Sequence, residues 1–96
     1  EYVPVWPDTV RFAEAEMIPG GAYRNLNHLR QVVVFDNQVP ESLRIVFCDP
    51  QTSGGMLMAC PLERAGMPEG LLETAGQDYA IIGRLKEGRG IRVLPN

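Results

Sequence analysis

Residues 48–56 read CDPQTSGGM, an acid, a proline, two hydroxyls and two glycines set between apolar flanks. Pro50 holds Asp49 in an extended conformation. Gln51, Thr52 and Ser53 follow with side chains that donate and accept hydrogen bonds. Gly54 and Gly55 can take a positive φ and let another backbone or a phosphate come close. Successive exposed N–H groups in such a turn form a concavity suited to anions. The competing reading is a helix-to-strand turn in which Asp49 and Thr52 cap neighbouring N–H groups. The run is not a P-loop, because it lacks the lysine and no helix is expected after it.

The other residues with reactive side chains point to less chemistry. Cys48 and Cys60 match no zinc or redox spacing, and both are expected as reduced thiols, buried or half-buried. Neither has the basic neighbour in sequence that would lower its pKa and make it a nucleophile. The single histidine, His28, is expected at the surface or in a loop. A metal site draws several protein ligands, and nothing nearby supplies the rest. The pairs Glu63/Arg64 and Glu87/Arg89 are expected as solvated charges.

The elements that must position these residues are short. Residues 2–5 form a possible edge strand, limited by Pro4. Pro7 and Asp8 open a helix through about Met17, with Val10, Ala13 and Met17 as its apolar stripe. Pro19-Gly20-Gly21 ends it. The β-branched run QVVVF at residues 31–35 predicts a strand. Pro40 starts a second helix that must stop near Cys48. Residues 56–60 form a second apolar strand. Pro68 opens a third helix, with Gly76 as its C-cap. Residues 79–85 form another strand, and residues 91–94 close a hairpin after the turn at Gly88 and Gly90. The expected core is Val32, Val33, Val34, Val46, Phe47, Leu57, Met58, Ala59, Leu72, Ile81, Ile82, Ile91 and Val93. The pattern predicts an α+β fold, a mixed sheet with helices on one face.

Composition sets the outer limits. The 96 residues are 45% hydrophobic and 22% charged, an ordinary globular balance. They amount to one domain or part of one, and a chain this short has little stability margin. The net charge is −3 with scattered basic residues, which gives no footprint for nucleic acid. No apolar run approaches the roughly 20 residues of a membrane span. The chain begins at Glu1 without a signal-peptide pattern, so it is expected to start inside something larger or to have been processed.

Three segments carry a family resemblance. DPQTSGGML at residues 49–57 resembles the C-terminal signature of selenophosphate synthetase, also called selenide, water dikinase. IPGGAYRN at residues 18–25 resembles a second signature of that family: a glycine pair, an aromatic, a basic residue and asparagine. YAIIGRL at residues 79–85 is similar to its closing isoleucine–glycine strand. The order and spacing fit, and the resemblance covers about Val5 to Val93. Met56 and Met58 stand where leucine and another aliphatic residue are usual, both volume-tolerant exchanges.

The resemblance implies an ATP- and magnesium-dependent enzyme that makes selenophosphate from selenide and releases AMP and phosphate. It implies a cytoplasmic homodimer with the fold of aminoimidazole ribonucleotide synthetase. This chain corresponds to part of the C-terminal α+β domain over residues 1–96, with the catalytic N-terminal domain as its partner. The reactive cysteine or selenocysteine, its lysine and the magnesium aspartates of the family match nothing here. The chain alone is therefore expected to be inactive and to hold no cofactor. Asp49, Gln51, Thr52, Ser53, Gly54 and Gly55 are then either a phosphate-facing loop at the interdomain cleft or a structural joint. Gly20, Gly21, Arg24 and Asn25 are weaker candidates. Arg24 can reach a phosphate and Asn25 can pin the loop, but a helix stop plus a surface ion pair explains Arg24 as simply. The rivals are a related superfamily enzyme, such as a purine-pathway synthetase or a thiamine-phosphate kinase, and a non-catalytic docking module.

Overall fold

The computed structural model describes residues 3–95. It contains four α-helices, a 3-10 turn and two short strands, an α+β chain. Two compact units divide it: Val5–Ser53 with Glu87–Asn96, and Gly54–Lys86 with the start of the chain.

The first unit holds α1 (Thr9–Glu14), α2 (Gly20–Leu29), β1 (Val33–Phe35), α3 (Glu41–Val46) and β2 (Ile91–Val93). Helix α1 is shorter than the sequence suggests. Its end is a Schellman closure: Met17 N–H donates to Phe12 O and Glu16 N–H to Ala13 O, each at 3.0 Å. Glu16 takes the left-handed position, φ 60°, so the chain turns before any glycine is reached. Pro19-Gly20-Gly21 does not end a helix. Pro19 is the extended N-cap of α2, and both glycines lie in its first turn. Sequence reading missed α2 because it took a Pro-Gly-Gly run as punctuation.

Ala13, Ala22 and Ile45 are the buried centre of this unit, with Ile18, Leu26 and Val46 packed against them. One residue from each of the three helices meets there, and two of them are alanines. Small side chains allow close approach, so the helices pack without a large apolar stripe. Val39 and Cys48 are buried as well.

Strand β1 pairs with β2 in parallel, Val33 opposite Ile91 and Phe35 opposite Val93. Residues 91–94 therefore do not close a hairpin. The expected mixed sheet is a purely parallel, two-stranded one. Arg44 supports the turn that follows β1. Its Nε donates to Val39 O at 2.8 Å and a terminal NH2 to Asp36 O at 2.9 Å, while the guanidinium sits 5.7 Å from the Phe35 ring centre.

The second unit holds the 3-10 turn Leu62–Arg64 and α4 (Gly66–Thr74). Pro68 lies inside the first turn of α4 rather than opening it. Gly76 takes the left-handed position after the last turn, where Gln77 N–H reaches back to Leu72 O at 2.9 Å. Tyr79 Oη donates to Glu73 Oε1 at 2.9 Å, which pushes the phenol pKa up. Met58 lines an apolar groove with Met67, Pro68, Leu71 and Leu72.

Residues 56–60 and 79–85 are not strands; neither joins a ladder. An apolar run forms a strand only when a neighbour takes its N–H and C=O groups, and β1–β2 is the only strand pair among the described residues. The same cause overturns most of the expected core. Val32, Val34, Leu57, Met58, Ile81, Ile82 and Ile91 are exposed, as is Ala59, while Val33, Val46, Phe47, Leu72 and Val93 are half-buried. Residues 3–5 form no strand either; Tyr2 lies outside the described residues.

Candidate functional site

Helix α3 ends at Val46, and the chain must leave it before Pro50. Cys48 N–H and Asp49 N–H still donate to Ile45 O and Val46 O at 3.0 and 3.1 Å. Gln51 N–H then returns to Asp49 O at 2.9 Å. This is a three-residue turn centred on Pro50, whose fixed φ suits it. The backbone carbonyl of Asp49, not its carboxylate, is the acceptor that orders Gln51.

Helix α2 lies against this turn. A methyl group on Gly21 would fall 2.7 Å from Pro50 Cγ, so only glycine fits there without displacing the ring. One turn on, Asn25 Nδ2 donates to Cys48 O at 2.9 Å, a partly buried bond linking residues 23 apart in sequence. Cys48 lies just past the end of α3, where its carbonyl has no helical donor, and Asn25 supplies one from outside. Residues 18–25 and the start of residues 49–53, separated in sequence, are thus one structural feature.

Beside the contact lies a groove of about 280 Å³. Phe12, Ala13, Ile18, Pro19, Ala22, Ile45 and Val46 make its apolar wall, and Thr9, Asp49 and Gln51 supply polar groups. No side chain caps the N-terminus of α2. An Arg24 terminal nitrogen lies 3.7 Å from where a Gly20 Cβ would stand, so its guanidinium is folded back over that first turn. A helix N-terminus carries partial positive charge. Adding a cation to it makes a place that suits an anion. No ion pair forms with Arg24 among the described residues, and α2 does not stop there. The helix-stop explanation of Arg24 is therefore withdrawn.

The remaining candidates are placed differently. Thr52 and Ser53 are exposed and do not line the groove. Gly55 belongs to the other unit, meets open space within this chain and takes no positive φ; within the first unit a close approach is made by Gly21. Cys48 is a free, buried thiol whose pKa is pushed up by burial. Cys60 is free but exposed, not half-buried as expected. His28 is exposed on α2. The residues that sequence reasoning missed are Thr9, Phe12, Ile18 and Pro19 on the groove and Pro50 as a packing partner. The available signal was a glycine pair followed by helix-forming residues, without a second breaker.

An α+β chain whose two glycine-containing motifs pack on each other is what the structure defines. Comparison adds a family. The chain is 37% identical over 95 residues to the selenide, water dikinase of Myxococcus xanthus, covering 98% of this chain and 27% of that protein. It is 34% identical over 94 residues to that of Agathobacter rectalis, covering 98% and 28%. It is 36% identical over 86 residues to that of Pelobacter propionicus, covering 88% and 25%. Over nearly its whole length the chain is similar to members of the selenide, water dikinase family, and it spans about a quarter of the length of these curated relatives. No family model matches the chain. No solved structure matches it. No helix among the described residues is long and apolar enough to cross a membrane.

Proposed function

We propose that this chain is the C-terminal portion of an ATP- and magnesium-dependent selenophosphate synthetase, which converts ATP, selenide and water to selenophosphate, AMP and phosphate. The carrying observation is the contact between the two signature segments, Gly21 against Pro50, supported by Asn25 on the carbonyl of Cys48, the residue just before the second segment. Two segments that carry the resemblance, apart in sequence, form one local structure in this chain. In this reading the chain is part of a domain with the aminoimidazole ribonucleotide synthetase-like fold. It completes a site whose nucleophile and metal ligands lie in the N-terminal domain. The whole enzyme is a cytoplasmic homodimer, and this chain alone is inactive.

The segment's contribution is a set of anion-facing donors. The first turn of α2 has uncapped N–H groups with Arg24 folded over them, and Thr52 and Ser53 are exposed nearby in sequence to the fixed turn at Pro50. Phosphoryl transfer depends mainly on positioning and on stabilising charge, and a second domain can lend both. The competing reading makes the segment a joint between domains that touches no ligand.

Selenide-dependent AMP formation by the full-length enzyme tests both readings. Removing an exposed pair of hydroxyls should leave stability nearly unchanged. If the Thr52→Ala, Ser53→Ala double variant and Arg24→Ala each lose about tenfold or more in activity at unchanged melting temperature, the ligand-facing reading holds, since preorganised donors are worth at least that much. Activity that follows stability alone supports the joint. A wild-type enzyme that forms no AMP with selenide defeats the assignment.

A further inference from the structure

We propose that Gly21 and Asn25 act as positioning residues, a two-point clamp by which α2 fixes Asp49 and Gln51 for the reaction. The inference rests on the function proposed above, but its geometry stands separately. Residues 21 and 25 are four apart on a helix and therefore share one face. Gly21 receives the Pro50 ring, with room for no side chain. Asn25 holds the Cys48 carbonyl at 2.9 Å. The two contacts fall on either side of Asp49, the residue that with Gln51 gives the groove its polar edge next to α2. With Cys48 and Pro50 both held, Asp49 keeps little backbone freedom, and the Gln51 N–H to Asp49 O bond carries the constraint one residue further.

The clamp also explains two residue choices. The Gln51 N–H, which a continuing turn would aim at Cys48 O, is committed to Asp49 O in the turn centred on Pro50; the Cys48 carbonyl then takes its donor from the Asn25 amide. A glycine in the first turn of α2 lowers helix propensity relative to alanine. It is compensated here because alanine would displace Pro50. Neither residue needs to touch a ligand to matter. A misplacement of about 1 Å at a reacting centre can cost on the order of 100-fold in rate.

Two measurements test the clamp. The first uses no ligand: backbone order parameters of Asp49 and Gln51 in the 96-residue chain. In the wild type both should lie near ~0.85, the rigid range, and in Asn25→Ala they should fall below about 0.6 while Val34 in β1 is unchanged. Asn25→Asp, which keeps the shape but cannot donate to a carbonyl, should behave as Asn25→Ala does. The second is kinetic, in the full-length enzyme. Asn25→Ala should lower kcat with ATP about tenfold or more and leave KM within about threefold, the pattern of an interaction needed in the transition state. Gly21→Ala should be comparably impaired, and adding Pro50→Ala should recover most of that loss by removing the ring. Unchanged order parameters in Asn25→Ala overturn the clamp. So does a Gly21→Ala defect that is the same with and without Pro50. Activity lost only in step with melting temperature overturns the positioning role. A wild type silent towards selenide defeats the proposed function instead, while the order parameters still decide the clamp.

Discussion

Ile45→Ala removes an ethyl and a methyl group from the point where α1, α2 and α3 meet. Ile45 is 4% exposed and packs in the cluster formed with Ala13 and Ala22. At about 0.8 kcal/mol per buried carbon the transfer term is roughly 2.5 kcal/mol. The cavity term should be small, because Ile45 also lines the groove and the space left would open into it rather than stay enclosed. The total is about 3 kcal/mol, in the lower half of the ~2–5 kcal/mol range for such truncations. A chain of this length has roughly 5–14 kcal/mol of stability in all. The expected fall in Tm is on the order of 10–20 °C. The assay is urea or thermal unfolding followed by circular dichroism; Trp6 is 86% exposed and makes a poor fluorescence probe of the core. The paired control is Ile81→Ala. Ile81 reads as core in the sequence, yet it is 52% exposed, so its loss should cost under about 1 kcal/mol. Equal costs at the two positions, or a larger cost at Ile81, would refute the placement of the core among the three helices.

Two further outcomes are expected of the same chain. Gly90→Ala should destabilise by about 1–3 kcal/mol, read as a lower urea midpoint: Gly90 has φ +88° and a methyl there would stand 2.8 Å from Val32 O, the acceptor of the Ile91 N–H at 2.7 Å that begins the parallel pairing. Thiol labelling should separate the cysteines, with exposed Cys60 reacting at once and buried Cys48 at least about tenfold slower, at a rate set by local opening. Because burial pushes the Cys48 pKa above its ordinary 9.0, the folded state favours the thiol. The corresponding stability is fully present below the ordinary thiol range and is lost as pH rises from about 9 towards the folded value, a trend that Cys48→Ala should flatten.

Local signals in the sequence were read well where one residue type decides the backbone. Pro40 before Glu41 starts α3, the β-branched run holds β1, and Gly76 takes the left-handed position after α4. They failed where a partner decides. Residues 56–60 and 79–85 have strand composition, but a strand needs a neighbour that no local pattern supplies. Ile91–Val93 was expected to fold back on its immediate neighbour, and it pairs with Val33–Phe35 instead. The core was misjudged for a related reason. Large β-branched residues suggest a core by their composition, yet the most buried of the described residues is Ala22, 1% exposed. The left-handed residues Asp8 and Glu16 do not stand out in the sequence either: aspartate tolerates a positive φ without requiring it, and the longer glutamate gives no such signal.

The candidate site shows the same division between composition and contact. The side-chain types of residues 49–55 are plain in the sequence, whereas the glycine pair at 20–21 reads there as a helix stop and only a weaker candidate. What a linear reading cannot see is that these two segments answer each other. Gly21 is small because Pro50 is there, and the turn at Pro50 leaves the Cys48 carbonyl to be met by Asn25. A substitution in either segment is therefore felt in the other, and residues in contact are those whose effects fail to add. The loop's glycines drew attention because glycine can approach anything closely. Yet Gly55 approaches nothing within this chain, while Gly21, inside a helix, sits against Pro50. The run at residues 49–55 is thus better read as half of a contact than as a site complete in itself, and its other half is the glycine pair in the first turn of α2.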